Sequence, residues 1–159
     1  MACIFCKTVR GEMPCLKLAE TATSIAFLDV NPLSRGHCLV IPKHHAAKLH
    51  ELPAESVSDC ALLMHRVAGA LGVENYNILQ NNGKLAHQAV FHVHFHIIPK
   101  TARNDGLGIG WDQMEVGCDM AQLKQVAEAI VLRINANATT TTSATTSDNS
   151  NSGGAAAAK

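Results

Sequence analysis

Hydrophobic and polar positions along the chain follow two periods, and the switches between them mark the expected elements. Cys3–Arg10 is short and mixed, ending at Gly11 and Pro14. Two strands are expected at Leu16–Ala19 and Ser24–Asp29, parted by the polar turn Glu20–Thr23. After a loop at Asn31–Gly36, the β-rich run His37–Pro42 ends at its proline. The period then changes. Beyond Pro53, Val57, Cys60/Ala61, Met64, Val67/Ala68 and Leu71 recur at helical spacing until Gly72 stops them. Tyr76–Gln80 reads as a strand and Asn81-Asn82-Gly83 as a turn. Ala89–Ile98 alternates most cleanly of all. A second helix is expected from near Asp119, with Gln122 placed as in a capping box and the stripe Met120, Leu123, Val126/Ala127, Ile130 and Ile134. Strands, helix, strands, helix with short connections predict an α+β fold, an antiparallel sheet with helices on one face.

Composition then divides the chain. In residues 135–159, Ala, Thr, Asn and Ser make up 21 of 25 positions, with no aromatic or large aliphatic side chain. Such a segment buries too little apolar area to offset its ordering entropy, so a disordered tail is expected there and one domain over residues 1–134. The 13 basic and 13 acidic residues cancel, which argues against a nucleic-acid partner held by a basic surface. No run approaches the ~18 apolar residues of a membrane span, and the start lacks a secretory pattern. No membrane association is expected, and the expected location is the cytoplasm, with the nucleus also open. The six cysteines are then read as thiols or metal ligands, not disulfides. Cys38 and Cys60 read as small buried apolar residues.

The nine histidines, all within residues 1–134, carry the chemistry. In AVFHVHFHIIP, side chains alternate faces, so His92, His94 and His96 share one face while Val93, Phe95 and Ile97 take the other. Satisfied or exposed histidines are one reading, which strict alternation of three makes hard to sustain. A three-histidine metal site is another. The third is a phosphate-handling site with a neutral imidazole as nucleophile. Cys3-x-x-Cys6 is separately a short chelating loop, which leaves two tetrahedral positions to be filled from elsewhere; two free thiols are the alternative.

The stretch QAVFHVHFHII resembles the His-x-His-x-His signature of the histidine triad (HIT) superfamily, with apolar x. CIFCKTVRGEMP, AFLDVNP and GHCLVIPKHH resemble its other blocks in the same order, so the likeness spans most of residues 3–134. NNGKLAHQ and GIGW are most similar to the branch of small adenosine 5′-monophosphoramidases. The resemblance implies a HIT-like five-stranded antiparallel sheet with two helices, extended across a homodimer, and a purine nucleotide pocket. It implies a hydrolase that cleaves adenosine 5′-phosphoramidates and aminoacyl adenylates to AMP. His94 would be the nucleophile that forms a nucleotidyl-histidine, and His96 would contact the α-phosphate. Asn81 and Gln88 would hold phosphate and the bridging or leaving atom. Where many relatives have Ser after that Gln, this chain has Ala89, so only backbone N–H remains for that contact. Asp29 would accept from the ribose hydroxyls, and Ile4, Phe5, Phe27 and Val30 would flank the base.

The same resemblance implies that His45 and His92 complete a structural zinc site with Cys3 and Cys6. His37 is expected to hydrogen-bond within its loop. His44 and His50 are expected at the surface, and His65 satisfied or exposed on the first long helix. His87 and Trp111 are candidates for the leaving-group side. Hydrolysis of dinucleoside polyphosphates and a nucleotide-binding scaffold with incidental catalysis are the alternative functions.

Overall fold

The computed structural model describes residues 3–110 and 119–143, with backbone alone for 137–143. Contacts gather the chain into one unit that reaches Gly110 and another that carries the last helix. The first unit holds helix α1 (Ile4–Val9), strands β1 (Lys17–Glu20), β2 (Ser24–Leu28) and β3 (Cys38–Pro42), helix α2 (Ala54–Ala70), and strands β4 (Tyr76–Gln80) and β5 (Phe95–Pro99). The strands form one antiparallel sheet in the order β1-β2-β3-β5-β4. The α+β expectation and the five strands are therefore present.

Alternation along the strands builds two apolar layers. On one side Ala26, Cys38, Val40 and Ile97 pack with Cys60, Leu63, Met64 and Val67 of α2. On the other, Ile25, Phe27, Leu39 and Ile41 meet Phe5 of α1. The β2–β3 register, with Phe27 opposite Leu39 and Ile25 opposite Ile41, keeps like faces together. The buried stripe of α2 includes Leu63, which the periodicity did not single out, while Ala61 is exposed. The helix is also tied to the β1–β2 turn by Asp59, which accepts from Thr21 and Thr23 hydroxyls at 2.5 and 2.6 Å.

Three expectations change. Cys3–Arg10, read as short and mixed, carries α1, whose Phe5 is buried. The expected strand at Ala89–Ile98 pairs only from Phe95. Opposite its missing half stands Pro42, which has no N–H for a ladder; the Pro42 carbonyl takes His92 Nε2 and Val93 N–H donates to Ala46. Helix α3 (Met120–Ser143) runs beyond residue 134, so part of the stretch expected as tail is helical. It belongs to the second unit. Among the described residues, no helix is long and apolar enough to cross a membrane. Trp111 and Cys118 lie outside the described residues.

Leu63 is 1% exposed and its neighbour Leu62 is 67% exposed. Leu63→Ala should therefore lower unfolding free energy by about 2–5 kcal/mol, and Leu62→Ala by less than about 0.5 kcal/mol. Urea unfolding of the two variants checks the assignment of the core face.

Candidate active site and metal-binding cluster

A cavity of about 370 Å³ opens on the α1 side of the sheet, within the range of small-molecule sites. Ile4 and Phe5 of α1, with Phe27 and Val30 at the end of β2, form its apolar wall. Asp29, His94 and His96 supply polar groups. Eight of the lining residues, Ala89 among them, are ones the sequence reading names for the site. Among those it does not name for the site are Met13, Pro14, Cys15, Leu39 and Val90. Leu39 was readable in principle, since it shares a β3 face with Ile41 and stands opposite Phe27. The Met13–Cys15 turn carries no periodic signal.

The three histidines of the row do point to the α1 side. The ring of Phe5 lies edge-on to His92 and His94, with centroids 5.8 and 5.1 Å away, and His94 and His96 are 4.9 Å apart. His94 Nδ1 is 2.7 Å from the His92 carbonyl oxygen. A carbonyl only accepts, so Nδ1 carries the proton and Nε2 keeps its lone pair. Burial pushes the His94 pKa down, opposed by that hydrogen bond and by Asp29. Burial, with His94 and His37 as cationic competitors, lowers His96 to about 4, against a smaller opposite effect of Asp29. His37 and His92 are lowered first by burial as well. At neutral pH these four rings are uncharged, the form a nitrogen nucleophile requires.

Asp29 sits just after β2 and accepts from Asn31 N–H at 2.8 Å through one oxygen. Its other oxygen is 3.6 Å from His37 Nε2. Asn81 and Gln88, expected at phosphate and the bridging or leaving atom, stand outside the lining of this cavity. Gln88 is buried, with Oε1 accepting from Gly83 N–H at 2.6 Å and Nε2 donating to the Ala47 carbonyl at 2.7 Å. Both ends of its amide are used to clamp the 83–88 turn to the loop after β3. Asn81 Nδ2 reaches the His87 carbonyl at 3.5 Å. Ala89 does line the cavity. His44, His50, His65 and His87 are exposed, His87 with a left-handed φ of 62°.

Beside this cavity, Cys3, Cys6, His45 and His92 bring four ligand atoms within 4.8 Å of one another. Cys6 Sγ is 3.3 Å from His45 Nδ1, and both sulfurs are 3.6 Å from His92 Nδ1. The two Nδ1 atoms are 3.1 Å apart. His92 Nε2–H donates to the Pro42 carbonyl at 2.9 Å, so its Nδ1 presents a bare lone pair to two sulfurs and a second imidazole. Thiolates and imidazoles converging in this way can hold a metal ion, with the carbonyl orienting one ligand ring.

A HIT domain family model matches residues 10–103, and the chain belongs to that family. It is 56% identical over 134 residues to the adenosine 5′-monophosphoramidase of Schizosaccharomyces pombe, covering 84% of this chain and 99% of that protein. Its fold matches the histidine triad nucleotide-binding protein of Candida albicans with a TM-score of 0.78 at 42% identity, over 84% of this chain and 98% of the other. A zinc-bound histidine triad family protein of Mycobacterium smegmatis is similar at 38% identity and a TM-score of 0.61, over 65% of this chain and 78% of that one.

The folded pKa of His96, about 4, lies below the ~6.5 of a free imidazole. Between the two, the unfolded chain binds more protons. Stability is then full above about pH 6.5 and is lost as pH falls toward 4. Thermal unfolding should show a steeper loss from pH 7 to pH 5 in the wild type than in His96→Asn at equal metal content. Equal slopes would contradict the assignment.

Proposed function

We propose that this chain hydrolyses adenosine 5′-phosphoramidates and aminoacyl adenylates to AMP. The reading is carried by one observation: in a nucleotide-sized cavity, the His92 carbonyl holds the Nδ1 proton of His94 and leaves its Nε2 free. The nucleophile is thereby aimed and kept basic.

The chemistry follows from the groups present. The purine lies against the apolar wall of Ile4, Phe5, Phe27 and Val30. Asp29 accepts from the ribose hydroxyls in short charge-assisted bonds. His94 Nε2 attacks the α-phosphorus in line as the bond to the leaving nitrogen breaks. The amine departs with a proton taken from solvent, which the later attack of water gives back, and the phosphorylated ring keeps its Nδ1–H on the His92 carbonyl. His96 faces the phosphate oxygens and stabilises their charge. Water then attacks phosphorus, the N–P bond breaks, and AMP and the free imidazole are released.

The cluster beside the cavity is read as a structural zinc site. Tetrahedral zinc, with bonds of ~2.0 Å to nitrogen and ~2.3 Å to sulfur, requires N–N edges of roughly 3.3 Å and N–S edges of roughly 3.6 Å. The distances of 3.1 Å between nitrogens and 3.3–3.6 Å between nitrogen and sulfur fit this. Four protein ligands leave no position for substrate, so the ion would supply rigidity. His92 would link it to the nucleophile, since its ring is a ligand and its carbonyl orients His94.

A homodimer is proposed with it. β4 lies at the sheet edge with Tyr76 and Ile78 exposed, and an edge strand with large apolar side chains favours pairing with a second strand.

Adenosine 5′-phosphoromorpholidate should release AMP, and His94→Ala should reduce kcat about 10⁴-fold or more. Equal rates in both would overturn the reading, as would turnover confined to diadenosine tetraphosphate. Elemental analysis should find close to one zinc per chain. Cys6→Ser should lower zinc content and thermal midpoint, whereas His94→Ala should leave the zinc in place.

A further inference from the structure

His37 is buried behind the catalytic row, at 3% exposure, and takes no part in the proposed bond changes. Its ring makes one hydrogen bond at each nitrogen. The Leu33 backbone N–H donates to Nδ1 at 3.1 Å. A backbone N–H can only donate, so Nδ1 must be the bare nitrogen and the proton of the neutral ring sits on Nε2. That Nε2 lies 3.0 Å from His96 Nδ1. The same step repeats: Nε2–H of His37 donates, Nδ1 of His96 accepts, and the proton of neutral His96 is placed on its own Nε2. The Asp29 carboxylate, 3.6 Å from His37 Nε2, favours a proton there too. The close approach of Asp29, His37 and His96 is accounted for by this chain of hydrogen bonds, without a metal ion.

The starting point of the chain is rigid. The Ser34 hydroxyl donates to the Pro99 carbonyl at 2.6 Å, His37 N–H to the Ser34 carbonyl at 3.1 Å, and Gly106 N–H to the Leu33 carbonyl at 3.2 Å. The 33–37 loop is thus fastened to the end of β5, the strand that carries His96. Gly106 has a φ of +69°, and a Cβ there would stand 2.7 Å from the Pro99 carbonyl oxygen, so this fastening depends on a glycine.

We propose that His37 is a positioning residue that sets the tautomer of His96. It would make the two cavity-facing nitrogens opposites: a lone pair on His94 Nε2 and an N–H on His96 Nε2. The first attacks phosphorus and the second donates to a phosphate oxygen. Without the His37 donor, His96 is free to hold its proton on Nδ1 and turn a lone pair toward an anionic oxygen. This role rests on the phosphate-handling reading of the same site, but the tautomer can be measured without any substrate.

The test has two arms. In zinc-replete, unliganded protein with ¹⁵N-labelled histidine at pH 8, long-range ¹H–¹⁵N correlation should show the His96 proton on Nε2. A proton on Nδ1 overturns the proposal whatever the enzyme hydrolyses. In the second arm, His37→Gln keeps an N–H donor near the Nε2 position and His37→Leu has none. With adenosine 5′-phosphoromorpholidate, His37→Leu should lower kcat by about 10²-fold with KM little changed, and move the His96 proton to a mixture of nitrogens. His37→Gln should recover most of kcat and keep the Nε2–H signature. Equal losses in two folded variants, or a loss confined to KM, overturn the proposal. Should His37→Leu not fold, the wild-type spectrum and His37→Gln decide it. Should wild type fail to cleave the substrate, the proposed activity fails while the spectrum still reports on His37.

Discussion

Imidazoles buried against one face of a sheet must be neutral, and each ring nitrogen must then either give or take a hydrogen bond. That constraint organises the site. Removing His37, His92, His94 and His96 from water lowers all four pKa values. A neutral ring has one donor and one acceptor, so every fixed partner on one nitrogen dictates what the other can do. The Pro42 carbonyl leaves His92 Nδ1 bare toward the cysteines, and the His92 carbonyl leaves His94 Nε2 bare toward the cavity. The Leu33 N–H begins the sequence that ends with a donor on His96. Backbone groups, which cannot change protonation, therefore set the chemistry of the side chains.

The two faces of the sheet divide the work. The α2 face is a conventional apolar core and holds the strands in register. The α1 face is thinner, because a six-residue helix covers it, and this leaves room for a cavity over β2, β3 and the start of β5. Phe5 connects the two features of that face. It packs on Phe27 at 6.1 Å and lies edge-on to His92 and His94, so the helix that carries Cys3 and Cys6 at its start also lines the cavity. A metal ion bound there would stiffen α1 and the His92 backbone together.

Much of this is legible in the sequence alone. β4 has the bounds that alternation assigns it, and β2 and β3 differ only at an end. Alternation also placed the row of histidines on one face, although the ladder begins only at Phe95. The shortfall has a local cause: Pro42 cannot extend the pairing and its carbonyl is taken by His92. α1 was missed because six residues hold too few turns for a periodic signal. The end of α3 was misplaced because Ala, Thr and Asn are neither strong helix breakers nor apolar markers.

What the sequence determined by itself is whatever depends on neighbours a few residues apart. It determined the faces of strands and helices, the Cys-x-x-Cys spacing of Cys3 and Cys6, and the shared side of His94 and His96. What only the tertiary structure decided is whatever depends on register between distant segments. Cys6 and His45 lie 39 positions apart, and His37 and His96 lie 59 apart. Their meeting follows from the order β1-β2-β3-β5-β4 and from the loops that cross it. The same holds for Gln88, whose amide meets Gly83 N–H and the Ala47 carbonyl. Periodicity states which way a side chain points. Only the packed sheet states which atom it finds there, and in a buried imidazole that atom decides where the proton sits.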